Sequence, residues 1–481
     1  MKDLTSIVIE KLRAAGAAFG DIRIVTKRTG SVNVRQRSVK SISDTESRGY
    51  GVRALVNGAW GFASSTDLSA DAVAKTTENA LAVARASASV PAERPAVMAP
   101  EDGYQDTVVT PVVKDPFEIP HKEKAELLLA VNDAMLSVDH ISLAYSMLRF
   151  MRFNRIIANT DGSYLDMTHT VAEPVAIAVA VVGSDSQERS FQGGARAAGW
   201  EYIEEVDLLR LASTLAREAV MKAQADETPT GRMDLVLDPM HLSLTMHESV
   251  GHPTELDRIL GWEANMAGTS FVSPSAIGSL KYGSELVNLT ADNTLEGGMA
   301  TWGYDDDGVP GRKWPIVKDG ILAGVTTVRE TAPFIGTERS WGSCRADSFS
   351  SVPITRIPNL YMEPGRDDTT AEDIIAGTDR GIYIRGMGSF SIDQRRVNFQ
   401  FGGDFFQMIE NGRLTRPLKK VTYHARTPEF WGSCTAVAGP SDWGMHGIMN
   451  CGKGEPMQTM MMTHGASTSR FSNIEVGASR K

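Results

Sequence analysis

The segment MHESVGHPTE, residues 246–255, sets two histidines five positions apart, with a glutamate directly after the first. A catalytic zinc ion wants three protein ligands and one open position for water. Imidazoles four apart on an α-helix differ in direction by about 40°, so both reach one ion; five apart they differ by about 140° and diverge. A regular helix is therefore incompatible with a shared ion. Gly251 permits unusual backbone angles, an extra residue can be taken up as a π-bulge, and Pro253 disfavours the α conformation at His252. The sequence predicts a helix that leaves α geometry near Gly251 and brings His252 round to His247. Glu248 is then placed to accept a proton from water that the metal activates. The third ligand must come from elsewhere. Cys451 in IMNCGKGEP is the candidate, Gly452 and Gly454 giving its backbone room, with His446 and His424 in competition. The bland alternative is a capped amphipathic helix whose histidines face solvent.

The rest of the chain narrows the class. At 481 residues it is long enough for two or three domains. Its formal charge of -10 is spread without long acidic or basic runs, which argues against nucleic acid or an anionic membrane as direct partners. Three cysteines (Cys344, Cys434, Cys451) make no disulfide framework and fit a reducing compartment. Glu10, Lys11 and Arg13 interrupt the first apolar stretch, so no signal-peptide core is expected, and no window approaches the ~20 apolar residues of a membrane span. A cytoplasmic protein is expected.

Along the chain, Asp3 is placed to cap a first helix ending near Gly16. DIRIVTKR, SVNVRQRSVKSIS and GYGVRALVNGAWGFASS alternate like antiparallel strands. A helix is predicted over about 69–87, a proline-rich linker over 90–120, helices over 121–138 and 204–225, and strands between those two. From RMDLVLDP onward the segments are short, Gly-rich and β-like. The expected class is α+β: a mixed N-terminal half and a β-dominated antiparallel C-terminal half carrying the zinc helix. The expected division is an N-terminal α/β domain (1–95), a central α/β region (115–225) and a C-terminal β-rich domain (230–481).

Other motifs carry less. YDDDGVPG lacks the alternate-residue ligand spacing of a calcium loop and reads as a turn. GIYIRGMGSF has neither dinucleotide-binding spacing nor a following helix. Cys344 and Cys434 read as small buried apolar residues, and the methionines of PMQTMMMTHG as strand core.

HESVGH with a distant CGKGEP, together with SRGYGVRALVNGAWGFASS, GRMDLVLDP, YDDDGVPGRKWPIVKDGILAGV, RADSFSSVPITRIPNLYMEPG and ENGRLTRPLKKVTY, resembles the TldD/PmbA (modulator of gyrase) family, in its metal-bearing TldD-like branch. The resemblance implies a metallopeptidase with one Zn²⁺ per chain, ligands at His247, His252 and Cys451, and Glu248 as the catalytic carboxylate. It further implies dimers, either of one chain or with a related PmbA-like subunit lacking the metal motif, that enclose the site in a cavity open only to short or unfolded peptides. PTELDRILGWEANMAGTSFV departs from the family's glycine-led continuation. Two other functions compete: a peptide-binding or chaperone-like module with a structural metal or none, and a zinc amidase acting on a small molecule.

Overall fold

Period-two alternation runs further along the N-terminal strands than separate short hairpins require. In the computed structural model, which describes residues 1–90 and 94–478, DIRIVTKR and SVNVR belong to one strand, β1 (Phe19–Arg35). It turns at Gln36 (φ 55°) into an equally long β2 (Ser38–Val56). With β3 (Ala59–Ser65), β4 (Gln105–Val109), β5 (Ile141–Asn159), β6 (Tyr164–Val182) and β7 (Asp185–Phe191) they make one seven-stranded sheet, ordered β3-β2-β1-β5-β6-β4 with β7 also on β6. The proline-rich linker is thus not all linker, since β4 within it pairs parallel to β6. Residues 91–93 of that segment lie outside the described residues.

Strand alternation gives the sheet two different faces. In β1 and β5, Ile22, Ile24, Val32, Val34, Leu148, Phe150 and Ile156 are buried under helices. Their neighbours Arg23, Met151, Phe153 and Arg155 face the C-terminal half. The covering helices are α1 (Lys2–Ala14), α2 (Ala70–Ala88), α3 (His121–Leu136), α4 (Trp200–Val206) and α5 (Leu208–Ala223). Two details differ from expectation. Met1 holds the N-cap position of α1, so Asp3 falls inside the first turn. The helix expected over 204–225 is broken at Asp207, whose left-handed backbone (φ 45°) ends α4 while its carboxylate caps α5.

The fold is α+β, and the C-terminal half is β-dominated. Strand Gly231–Leu237 lies inside a ten-stranded sheet, antiparallel to Ser469–Ala478 and parallel to Arg380–Arg385. A six-stranded sheet contains Leu289–Asp292, Leu360–Met362, Gln458–Ala466 and, at its edge, Gly444–Lys453. Helix Pro239–Met246 leads directly out of Gly231–Leu237 and packs on strands of both sheets. No helix among the described residues is long and apolar enough to cross a membrane.

YDDDGVPG forms a turn, as expected, but a buried one wedged between the halves. Asp305 accepts from the amides of Asp307 and Val309 (both 2.9 Å) and so shapes it. Asp306 pairs with Arg23 (2.9 Å) and Arg155, and Asp307 with Arg53 (2.9 Å). Burial opposes the Asp306 charge, yet Arg155 and Arg23 hold its carboxyl below the usual range. Asp306→Ala would strand two buried guanidinium groups. It is expected to lower stability by about 3–5 kcal/mol, measured as a shift of the urea unfolding curve.

Candidate metal centre

Asp238 caps helix Pro239–Met246 by accepting the His241 amide (2.7 Å), and Pro239 sits in the first turn, where an amide hydrogen is not needed. The α ladder ends at Met246. His247–Gly251 form a π turn and His252–Thr254 a 3-10 turn. The departure from α geometry occurs by the π route, since a turn closing on the fifth residue brings positions five apart onto one face. The two imidazole rings stand 4.8 Å apart, centre to centre.

The reasons for the flanking residues differ from those expected. Gly251 keeps ordinary right-handed helical angles (φ -56°). A Cβ there would come within 2.9 Å of the Ile357 side chain, which packs into the space the glycine leaves. His252 stays helical (φ -63°, ψ -45°) despite the proline after it. Pro253, having no N–H to give to a longer-range bond, instead falls where the chain tightens into the 3-10 turn.

Cys451 arrives by a second irregularity. In the hairpin of Gly444–Lys453 with Gln458–Ala466, Ile448 pairs with Met462 but Cys451 pairs with Met460, so the edge strand carries one extra residue. Such a bulge flips every later side chain to the other face. It places Cys451 beside Ile357, Met460 and Met462, toward the helix, while Met449 and Met461 face the N-terminal sheet.

His252 Nε2 and Cys451 Sγ are 3.6 Å apart. Ligand atoms of His247, His252 and Cys451 all lie within 4.8 Å of one another, on side chains that are nearly fully buried. Donor atoms on a tetrahedral zinc stand about 3.3–3.6 Å apart, given bonds of about 2.0–2.3 Å. Two imidazoles and a thiolate are donor types that zinc takes, and the His252–Cys451 separation already matches that spacing. His446 is half-buried and His424 exposed, and neither joins this group.

A ring of side chains orients the three. His247 Nδ1 is 2.7 Å from His464 Nε2, and His464 Nδ1 donates to the Leu360 carbonyl (3.2 Å). His252 Nδ1 is 2.9 Å from Glu255, which is paired in turn with Lys453 (3.0 Å). Each ligand histidine is thus engaged at Nδ1, leaving Nε2 for an ion, the usual arrangement around metal-bound imidazole. Burial pushes both imidazoles below their ordinary range, favouring the neutral form that ligates. For Cys451 burial works the other way, but His252 and Arg356 win and carry the thiol below its ordinary value. Glu248 Oε2 accepts from Arg396 Nη1 at 2.7 Å. Residues 261–268 pack against this cluster, the Ala267 carbonyl accepting from Arg258 and from Arg396 (3.3 Å), and Glu263 accepting the Gly454 amide (3.3 Å). Both Gly261 and Gly268 are left-handed at φ 84°.

The structure brings together the three residues singled out from the sequence, with Glu248 in the turn between the histidines, and adds His464, Glu255 and Arg396, which the sequence reading did not single out. Glu255 was findable, three residues after His252 in HPTE. His464 lay inside the methionine run, which does form buried strand core around it.

Residues 230–477 match the PmbA/TldA metallopeptidase C-terminal domain, residues 20–84 domain 1 and residues 114–226 the central domain. The chain belongs to the PmbA/TldD family. Relatives in this metallopeptidase family include a metalloprotease of Methanothermobacter thermautotrophicus, 29% identical over 95% of both chains. Another is a zinc metalloprotease TldD homolog of Saccharolobus solfataricus, 23% identical over 98% of both. The same fold occurs in a crystal structure described as a modulator of a DNA gyrase from Thermotoga maritima, with TM-score 0.78, 15% identity and coverage of 99% of this chain and 100% of that one. It occurs also in TldE from Thermococcus kodakarensis, with TM-score 0.74, 18% identity and coverage of 98% and 100%.

Two outcomes are expected. His464→Ala removes the partner of His247 and should weaken zinc binding by about 10–100-fold, measured by competition with a chromogenic chelator. Burial pushes the Asp238 carboxyl up to about 6, against the His241 and Gly386 amides that lower it. The fold therefore binds this proton more tightly than the unfolded chain. Its contribution is full below about pH 4 and is lost as pH rises through about 6, a fall of about 2–3 kcal/mol. Asp238→Asn keeps the cap and should flatten that part of the stability profile in urea titrations from pH 4 to 7.

Proposed function

We propose that this chain is a zinc-dependent peptidase that hydrolyses peptide bonds in short or unfolded chains. The observation that carries the reading is the buried trio His247, His252 and Cys451, with the Glu248 carboxylate in the turn between the two histidines. Zinc held there supplies a Lewis acid, tempered by the Cys451 thiolate, that polarises a carbonyl and acidifies water. His464 and Glu255 fix the two imidazoles through Nδ1. Glu248 takes the proton of the attacking water and returns it to the departing amine nitrogen.

Cys451 lies on Gly444–Lys453, the outermost strand of its sheet. An extended peptide pairing along that edge binds through its backbone with little side-chain selectivity. A cavity of about 410 Å³, lined by Asn450, Met460, Phe349, Lys27 and Arg149 among others, flanks the same strand. Because the trio is buried, admission requires residues 261–268 to swing aside, with Gly261 and Gly268 as the turning points. The working unit is a dimer enclosing the site, of this chain alone or with a related subunit lacking the metal motif. Three free, buried cysteines suit a reducing cytoplasm.

Glu248→Gln is expected to keep one zinc per chain and lose about 10²–10⁴-fold in peptide turnover. Chelation should abolish turnover in the unaltered protein. Turnover undiminished by Glu248→Gln or by chelation would remove the zinc and Glu248 reading. Peptide binding without cleavage by the metal-loaded protein would mark a binding module instead.

A further inference from the structure

One side chain holds Glu248. Arg396 Nη1 lies 2.7 Å from Oε2, and no hydrogen bond from the described residues reaches Oε1. Arg396 comes from the turn between strands Phe390–Ile392 and Asn398–Phe401, where its backbone is left-handed at φ 63°. That conformation is uncommon for a residue with a long side chain. Here the surroundings enforce it. Asp393 accepts the amides of Val397 (2.9 Å) and Asn398 (3.0 Å) on its carboxylate and that of Arg396 (2.9 Å) on its carbonyl. Thr427 donates to the Arg396 carbonyl (2.7 Å). The guanidinium is then fixed from the far side by the Ala267 carbonyl, while its buried Nε keeps no partner. The turn thus concentrates its constraint on one left-handed arginine whose guanidinium ends at the Glu248 carboxylate, the kind of enforced conformation that clusters at functional sites.

We propose that Arg396 is the positioning residue for the catalytic carboxylate, clamping Oε2 of Glu248 so that Oε1 is the oxygen presented to the reacting water. The inference rests on the peptidase reading. A terminal carboxylate torsion is soft and two-fold, so an unclamped Glu248 would spend much of its time misaimed. The guanidinium is itself anchored, Nη2 on the Ala267 carbonyl and Nη1 on Oε2, so one bond from a held donor fixes where that oxygen sits, and a lysine ammonium lacks the second arm.

The test compares Arg396→Ala and Arg396→Lys with the unaltered holoenzyme in zinc content, unfolding midpoint and peptide kinetics. Both variants should keep one zinc per chain; the alanine variant, which leaves the buried Glu248 carboxylate unpaired, should unfold earlier than the lysine variant while staying folded at the assay temperature. The alanine variant should lose about 10²-fold in kcat, the scale of misplacing a reacting group by about 1 Å, with KM little changed. Added guanidinium ion should restore part of kcat in Arg396→Ala and none in Glu248→Gln. Arg396→Lys should fall between the two. Unchanged kcat in Arg396→Ala, a loss confined to KM, or a loss that guanidinium does not reverse would overturn the assignment. If the alanine variant sheds zinc or is unfolded at the assay temperature, the lysine variant decides. A reduced kcat at full zinc content supports the clamp, and an unchanged kcat or a lost ion removes it. Absence of chelator-sensitive turnover in the unaltered protein would remove the peptidase reading and this one together. An active parent with an indifferent Arg396→Ala removes only this one.

Discussion

Three donors meet at one point because the backbone carries two surplus residues. The π turn at His247–Gly251 rotates His252 toward His247, and the bulge between Ile448 and Cys451 rotates the thiol toward both. Remove either surplus and one donor points to the wrong side of its own element. Everything else near the site serves these irregularities. Ile357 fits into the space left at Gly251, Tyr282 and Trp431 hydrogen-bond Ser249 within the widened turn, and the Glu255–Lys453 pair ties the helix to the bulged strand.

The N-terminal half contributes by buttressing. The hairpin bearing Cys451 and His464 presents one face to the metal helix and the other, through Met449 and Met461, to Met151 and Phe153 of β5. Beside that apolar contact lies the layer of Arg23, Arg53 and Arg155 against Asp306 and Asp307. Apolar packing holds the halves together without fixing their register; the buried ion pairs accept few alternatives, because a slip would leave several charges without partners. The thiol is therefore positioned by a strand whose back is anchored to another part of the chain.

Much of this was legible in the sequence, for a physical reason. The offset of His247 and His252 is a local constraint, so a departure from α geometry could be inferred from helix periodicity alone. The cause assigned to Gly251 was wrong because its role is set by Ile357, about a hundred positions away, which no local rule can see. Asp207 shows the same limit on a smaller scale: a periodic apolar face ran through it, and only the structure shows one helix ending and another starting there. The long strands β1 and β2 were read as pieces because internal glycines and serines look like turn signals when they lie in a paired strand. His464, Arg396 and the Asp306 layer come from positions distant in the chain, and their types are ordinary where they stand.

The burial of His247, His252 and Cys451, with residues 261–268 packed on Arg258, Arg396 and Gly454 beside them, bears on how an ion would be exchanged. With these side chains nearly fully buried, loading and release of an ion would both wait on a local opening. An ion held there would be retained by a kinetic barrier as well as by its bonds, and its exchange half-life would serve as a clock for that opening.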